Sequence, residues 1–104
     1  MAHVLDRLFE TIASRRSADP KLSYTAKLLH EGADRCAKKF GEEAVETVLA
    51  AMKGDKAAIA SESADVLYHL MVLWAACGVE PAQVYAALEA REGRSGLEEK
   101  ASRR

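Results

Sequence analysis

The sequence predicts an all-α fold: a small antiparallel helical bundle of about five helices, completed by homodimerisation. Two observations lead to the bundle. Apolar residues recur at helical spacing in several segments of the 104-residue chain, and no segment has the alternating pattern of a strand. Glycine, proline and capping residues separate these segments. A third observation, an almost uniformly apolar stretch at residues 56–77, predicts that a second copy of the chain completes the fold.

The N-terminal third contains two predicted helices joined by a polar connector. Apolar residues follow helical spacing from residue 3 to residue 15, and the connector over 15–22, which includes Pro20, breaks that period. Ser23 is a predicted N-cap for a helix that begins at Tyr24. Gly32 should weaken this helix before a long helical segment continues to Met52.

The long segment carries an apolar stripe that should face the core. Gly54 should end its helix and Asp55 should cap the next one, so the two helices become antiparallel neighbours. The stripe comprises Ala37, Phe40, Ala44, Val48 and Ala51, with Val45, Leu49 and Met52 beside it.

Residues 56–77 are apolar nearly all round, so this helix should be buried on more than one side. A domain this small can cover both sides only with a partner chain, which predicts a homodimer. Gly78 should end the helix and Pro81 should begin the last one. We expect one domain over 1–92 and a mobile C-terminal tail over 93–104, which has few apolar anchors.

Composition narrows the class of protein. With 15 basic and 16 acidic side chains the chain has no net basic field, so we expect no nucleic-acid partner. The longest apolar run, from Leu70 to Cys77, is far shorter than the ~20 residues that span a bilayer, so no membrane insertion is expected. No export signal opens the chain, and Cys36 and Cys77 lie in apolar helix patterns. We expect a cytoplasmic protein with two inert, buried thiols.

Acidic residues cluster on the two central helices. Glu42, Glu43 and Glu46 fall within an arc of roughly 100° on one helix, and Glu62 and Asp65 share an arc with His69 on the next. The turn between the helices brings these faces level. Crowded carboxylates repel one another unless a cation lies between them, and oxygen ligands suit Mg²⁺, or alternatively Mn²⁺, better than zinc.

A solvated surface is the alternative interpretation of this pattern. Glu-Glu-x-x-Glu is common on exposed helix faces, and Lys39 with Glu43 could form an ordinary surface pair. However, Glu46 lies beside the apolar Val45, and Glu62 precedes the most apolar part of its helix, so the acids should border the core. His69, near this arc, is typical of a core histidine or of one that supports a ligand.

The acidic cluster and nearby cations together favour a polyphosphate substrate. A metal ion and cationic side chains can share phosphoryl oxygens while a carboxylate activates water. No phosphate-binding loop of the Gly-x-x-x-x-Gly-Lys-Ser/Thr type is present. The residues thus predict metal-assisted hydrolysis of a phosphoanhydride. The cations available near the acids are Lys27, Arg35, Lys38 and Lys39.

Four segments of the chain carry a resemblance to a known family. They are Ser-Tyr-Thr-Ala-Lys-Leu-Leu at 23–29, Lys-Lys-Phe-Gly-Glu-Glu-Ala-Val-Glu at 38–46, Ala-Asp-Val-Leu-Tyr-His-Leu at 64–70 and Gly-Arg-Ser-Gly-Leu-Glu-Glu-Lys-Ala-Ser-Arg at 93–103. These segments resemble the phosphoribosyl-ATP pyrophosphohydrolases of histidine biosynthesis, within the all-α nucleotide pyrophosphohydrolases (the MazG-like superfamily). This resemblance implies Mg²⁺-dependent hydrolysis of phosphoribosyl-ATP to phosphoribosyl-AMP and pyrophosphate in the cytoplasm.

The resemblance also implies roles for individual residues. The catalytic motif would comprise Glu42, Glu43 and Glu46, with Glu42 either a further ligand or the base that activates water. The implied metal ligands are Glu43, Glu46, Glu62 and Asp65, and Arg94, Lys100 and Arg103 of the tail would fold over bound phosphates or ribose.

The sequence leaves two alternative functions open. One is a related enzyme that clears surplus nucleoside triphosphates, and the other is a non-catalytic helical dimer that acts as a binding module.

Overall fold

The computed structural model describes residues 3–92, and this part of the chain is helical without any strand. The predicted all-α class with about five helices is therefore confirmed for these residues. The expected tail over 93–104 lies outside them. The helices are α1 (Val4–Ser14), α2 (Tyr24–Glu31), α3 (Ala33–Lys53), α4 (Lys56–Cys77) and α5 (Pro81–Arg91), with a 3₁₀ turn at Arg15–Ser17.

Local capping explains where the central helices begin and end. The Ser23 hydroxyl accepts a hydrogen bond from the backbone N–H of Ala26 at 3.1 Å, and the Asp55 carboxylate accepts one from Ala58 at 3.1 Å. Gly54 adopts the left-handed conformation, with φ of 70°, that lets α3 end and the chain reverse. The predicted boundaries at these residues are confirmed. The short connection makes α3 and α4 neighbours, and these two helices pack together extensively.

One half of the α3–α4 hairpin is covered by α1 and α2. We call it the covered half: the N-terminal half of α3 and the C-terminal half of α4. Its core is formed by six residues of α1 to α4, each at most 2% exposed: Ile12, Leu28, Cys36, Met71, Val72 and Ala75. Within this core, the thiol of Cys36 donates a hydrogen bond to the Leu28 carbonyl at 3.3 Å.

The other half of the hairpin, near the turn, is uncovered in a single chain. Four apolar side chains of α3 remain 46–79% exposed, and we call this set the apolar face: Val45, Val48, Leu49 and Met52. The expectation that the whole α3 stripe is buried is wrong for one chain, since only Cys36 and Ala50 of α3 are buried. The reason is length: α3 spans about 32 Å, whereas α1 spans about 16 Å and α2 about 12 Å.

The two cysteines differ in their environments. Cys36 is fully buried, as expected, and burial raises the pKa of its thiol above the ordinary value of 9.0, with smaller contributions from Cys77 and Glu31. Cys77 is exposed, so the expectation that it lies in the core is wrong. It is the last residue of α4, where the chain turns away at Gly78.

Within residues 3–92, no single helix has both the length and the apolar character that crossing a bilayer requires. Helices α4 and α5 meet these criteria of length and composition only as a pair, and a bend of 116° separates them.

Candidate metal centre

Three carboxylates converge between α3 and α4. Glu43 comes from α3, and Glu62 and Asp65 come from α4, one helical turn apart. One oxygen from each carboxylate lies within 4.8 Å of those of the other two. Glu43 and Asp65 are equally far from Gly54 along the chain, and antiparallel packing brings such residues level. The hairpin itself therefore assembles the cluster.

The negative charges of the cluster repel one another. Partial burial, and then the negative charges of Asp65, Glu43 and Glu46, raise the pKa of the Glu62 carboxyl above its ordinary value. A divalent ion would offset this repulsion, and the donors available are all carboxylate oxygens. Such a donor set fits Mg²⁺ or Mn²⁺ rather than zinc, which prefers nitrogen and sulfur. The residues present are thus chemically suited to the ion that the sequence predicts.

The remaining two predicted acids lie beside this cluster. Glu46 is exposed and lines a cleft of about 210 Å³ together with Glu62. The Glu42 side chain is 48% exposed and lies on the solvent side of α3. Of the five predicted acids, the structure brings Glu43, Glu62 and Asp65 into one group and places Glu46 at its edge. Further residues that line the cleft are Leu49, Ala50, Lys53, Asp55 and Ala58.

Lys39 is the predicted cation that contacts the acids. Its ammonium Nζ lies 3.2 Å from Oε1 of Glu42 and 3.9 Å from Oε1 of Glu43, and its side chain is only 20% exposed. The hydrogen bond to Glu42 raises the pKa of Lys39 further, so the ammonium stays charged. The Lys39–Glu43 pair that the surface interpretation predicts is thus present, and both of its members are partly exposed.

The other predicted substrate-binding cations are placed differently. Arg35 pairs with Glu31 at 3.4 Å rather than with an acid of the cluster. Lys27 and Lys38 are exposed on α2 and α3. Arg94, Lys100 and Arg103 lie outside the described residues.

His69 lies behind Glu43, at the boundary between the cluster and the core. Its side chain is buried, and its Nε2 is 4.0 Å from Oε1 of Glu43. Burial lowers the pKa of His69, and the charge of Glu43 opposes that effect only in part. The rings of Tyr24 and Tyr68 contact the imidazole edge-on, with centroid distances of 6.1 and 4.9 Å.

Sequence reasoning did not assign a role to the side chains around His69. The Tyr68 hydroxyl forms a hydrogen bond with the Thr25 hydroxyl, which links α4 to α2. Tyr24 and Thr25 lie in the segment 23–29, and Tyr68 lies in the segment 64–70. Both segments belong to the four that resemble the family. That resemblance was the sequence signal that could have pointed to the side chains around His69.

Comparison with known proteins agrees with the resemblance. The family described as phosphoribosyl-ATP pyrophosphohydrolase matches residues 5–92. Among similar proteins, one from Azospirillum brasilense is 62% identical over 103 residues, which cover 99% of this chain and 93% of that protein. One from Parvibaculum lavamentivorans is 64% identical over 102 residues, covering 98% and 94%. One from Dinoroseobacter shibae is 61% identical over 100 residues, covering 96% and 98%.

All three relatives carry the name phosphoribosyl-ATP pyrophosphatase. The matched residues include α1 from Leu5 onward and every later helix, so the likeness extends well beyond the acidic cluster. This chain belongs to the phosphoribosyl-ATP pyrophosphohydrolase family.

Proposed function

We propose that this chain hydrolyses phosphoribosyl-ATP to phosphoribosyl-AMP and pyrophosphate, the second step of histidine biosynthesis, in the cytoplasm. The observation that carries the proposal is the convergence of Glu43, Glu62 and Asp65 in a member of this family. Relatives of nearly the same length carry the corresponding name. A polyphosphate substrate suits a site built from acidic ligands with a lysine beside them.

Mg²⁺, or alternatively Mn²⁺, is the proposed cofactor. Glu43, Glu62 and Asp65 would hold the ion, with Glu46 joining them from the edge of the cleft. When bound, the ion supplies Lewis acidity to the phosphoryl group under attack. The α3–α4 hairpin positions these carboxylates, since each belongs to a helix rather than to a loop.

Glu42 is the proposed general base. It lies outside the three-carboxylate group, and its exposure leaves it accessible to a water molecule. In the reaction, water attacks one phosphorus of the α–β phosphoanhydride, and its proton passes to the carboxylate. The bridging P–O bond breaks, and the two products are phosphoribosyl-AMP and pyrophosphate. Lys39, which holds Glu42 at 3.2 Å, is placed to neutralise charge on a departing phosphate.

The remaining predicted cations belong to substrate binding in this proposal. Lys27 and Lys38 are exposed on neighbouring helices, and Arg35 joins them once it exchanges Glu31 for a phosphate. Arg94, Lys100 and Arg103 are proposed to contribute from the tail.

We also propose that the protein is a homodimer. The apolar face of α3 places four exposed apolar side chains at the i, i+3, i+4, i+7 spacing of one helix side. Leu67 of α4 is 42% exposed as well. A contiguous apolar surface of this kind is typical of an interface. A second copy of this chain would cover the half of the hairpin that α1 and α2 do not reach.

Release of pyrophosphate from purified protein tests the function. With Mg²⁺, phosphoribosyl-ATP should be hydrolysed much faster than dUTP or dCTP, and a chelator should abolish the reaction. The opposite substrate order would transfer the assignment to a nucleoside triphosphate pyrophosphohydrolase. Absence of pyrophosphate with every substrate would favour the non-catalytic binding module.

A further inference from the structure

His69 has an environment that packing alone does not explain. It is 5% exposed, and the rings of Tyr24 and Tyr68 lie beside its ring at interplanar angles of 85° and 77°. Tyr68 is itself fixed by its hydrogen bond to Thr25. These contacts leave the imidazole little freedom to rotate. The ring therefore has a fixed direction relative to the acidic cluster.

The two nitrogens of this ring face different surroundings. Nε2 is 4.0 Å from Oε1 of Glu43, whereas Nδ1 is buried without a hydrogen-bond partner among the described residues. A buried polar atom without a partner is destabilising, and an apolar side chain of similar size would fill the same space without that cost. The nitrogen that faces Glu43 is the feature that distinguishes histidine from such a side chain.

Glu43 Oε1 lies between two nitrogen donors. Lys39 Nζ approaches it from α3 at 3.9 Å, and His69 Nε2 approaches it from α4 at 4.0 Å. Both distances exceed that of a hydrogen bond, about 2.9 Å, so a small rotation of the carboxylate is needed to close either contact. A neutral imidazole has one donor nitrogen and one acceptor nitrogen. A carboxylate partner requires the donor at Nε2, which leaves the lone pair on Nδ1.

We propose that His69 is a positioning residue: its Nε2–H donates to Oε1 of Glu43 and leaves the other carboxylate oxygen directed toward Glu62 and Asp65. The proposal rests on the proposed function, because it assigns His69 to the same metal centre. Residues that orient a ligand in this way typically contribute about 10- to 100-fold to metal affinity. His69 is not itself assigned as a ligand or as a catalytic group.

A matched pair of substitutions tests the donor. His69→Gln keeps an N–H near the position of Nε2, whereas His69→Met has similar length and no donor. The Kd of Mn²⁺, measured by titration calorimetry on each purified protein without substrate, should rise about 10- to 100-fold in His69→Met. In His69→Gln it should stay within about threefold of the unsubstituted protein. Equal Kd values in all three proteins, or equal losses in both variants, would overturn the proposal.

A second measurement uses the unsubstituted protein and does not depend on the folding of a variant. Nitrogen-15 NMR of the imidazole reports which nitrogen carries the hydrogen. We expect the Nε2–H tautomer, with an Nε2–H resonance that shifts when Mg²⁺ is added. The Nδ1–H tautomer would overturn the proposal.

Activity measurements separate this proposal from the proposed function. If the unsubstituted protein hydrolyses phosphoribosyl-ATP but His69→Met binds Mn²⁺ normally, the positioning role fails and the function stands. If no phosphoribosyl-ATP is hydrolysed while His69→Met still loses Mn²⁺ affinity, the function fails and the positioning role stands.

Discussion

The two halves of the α3–α4 hairpin both carry apolar side chains but have very different surroundings. In the covered half, Cys36 and Val72 are fully buried beneath α1 and α2. In the half near the turn, Val48 and Met52 are 56% and 79% exposed. Glu43, Glu62 and Asp65 lie where the two halves meet. A single chain therefore covers only part of its central hairpin with α1 and α2. The acidic cluster lies at the boundary between the covered and the uncovered half.

The largest expected effect is at this boundary. Glu43→Gln keeps the shape of the side chain and removes its charge, so it should lower pyrophosphate release from phosphoribosyl-ATP by about 100-fold or more. Without metal, the temperature of thermal unfolding should change little, because the relieved repulsion with Glu62 is offset by the lost ion pair with Lys39. Glu89→Gln, an exposed change on α5, is the matched control. Near-normal turnover in Glu43→Gln would remove this carboxylate from the site.

The next effect concerns the covered half. Leu28 is 1% exposed within the core, and Leu28→Ala should lower the free energy of unfolding by about 2–5 kcal/mol through lost burial and a residual cavity. Denaturant unfolding followed by circular dichroism measures this change. Leu22, which is 86% exposed, provides the control: Leu22→Ala should change the same quantity by at most about 0.5 kcal/mol. Similar losses in the two variants would contradict the assignment of the core.

The uncovered half is tested through association. Val48→Asp puts a charge on the apolar face, and losing the burial of a valine alone costs about 1.5–3 kcal/mol. Since 1.4 kcal/mol corresponds to tenfold, the Kd for dimerisation should rise at least about tenfold. Sedimentation equilibrium measures it, and Leu22→Asp, away from this face, should leave it unchanged. Monomeric unsubstituted protein at every concentration would refute the proposed dimer.

The smallest effect distinguishes the two thiols. The pKa of Cys36 is raised above 9.0 in the folded protein, so the unfolded chain loses this proton first as pH rises. The stabilising contribution is fully present below pH 9 and is lost as pH rises through the folded-state pKa, with a slope of at most about 1.4 kcal/mol per pH unit. Urea unfolding between pH 8 and about 10 measures it.

Two variants isolate this slope. Cys36→Ala should remove it, although the variant starts from a lower stability because a buried group is lost. Cys77→Ala should retain it, since Cys77 is exposed and its charge is only a secondary cause of the Cys36 shift. A slope that persists in Cys36→Ala would assign the pH dependence to another group, such as Tyr68, whose pKa is also raised by burial.

Much of the fold followed from local signals along the chain. Ser23, Gly54 and Asp55 specify helix ends through hydrogen bonds and backbone conformation that involve only their near neighbours. The expected burial of Cys77 and of the full α3 stripe failed because burial depends on which other helices reach a residue. Helical periodicity identifies an apolar side but does not reveal what packs against it.

The acidic cluster was predictable for a related reason. Glu43 and Asp65 lie at equal distances from a short turn, so their approach follows from sequence positions once both helices are assigned. The greater exposure of Glu42, and the pairing of Arg35 with Glu31, depend on side-chain rotation on the helix surface. The placement of Tyr24 and Tyr68 around His69 involves two helices distant in sequence and had no comparable local signal.

The sequence by itself determined about five helices, several of their capping residues and the approach of Glu43 to Glu62 and Asp65, because each of these depends on residues that are close along the chain or related by one short turn. Only the tertiary structure decided which half of the hairpin is covered, that Glu46 stands at the edge of the cluster, and that His69 faces Glu43 with a nitrogen. Those features arise from the lengths and packing angles of whole helices, which no local pattern specifies.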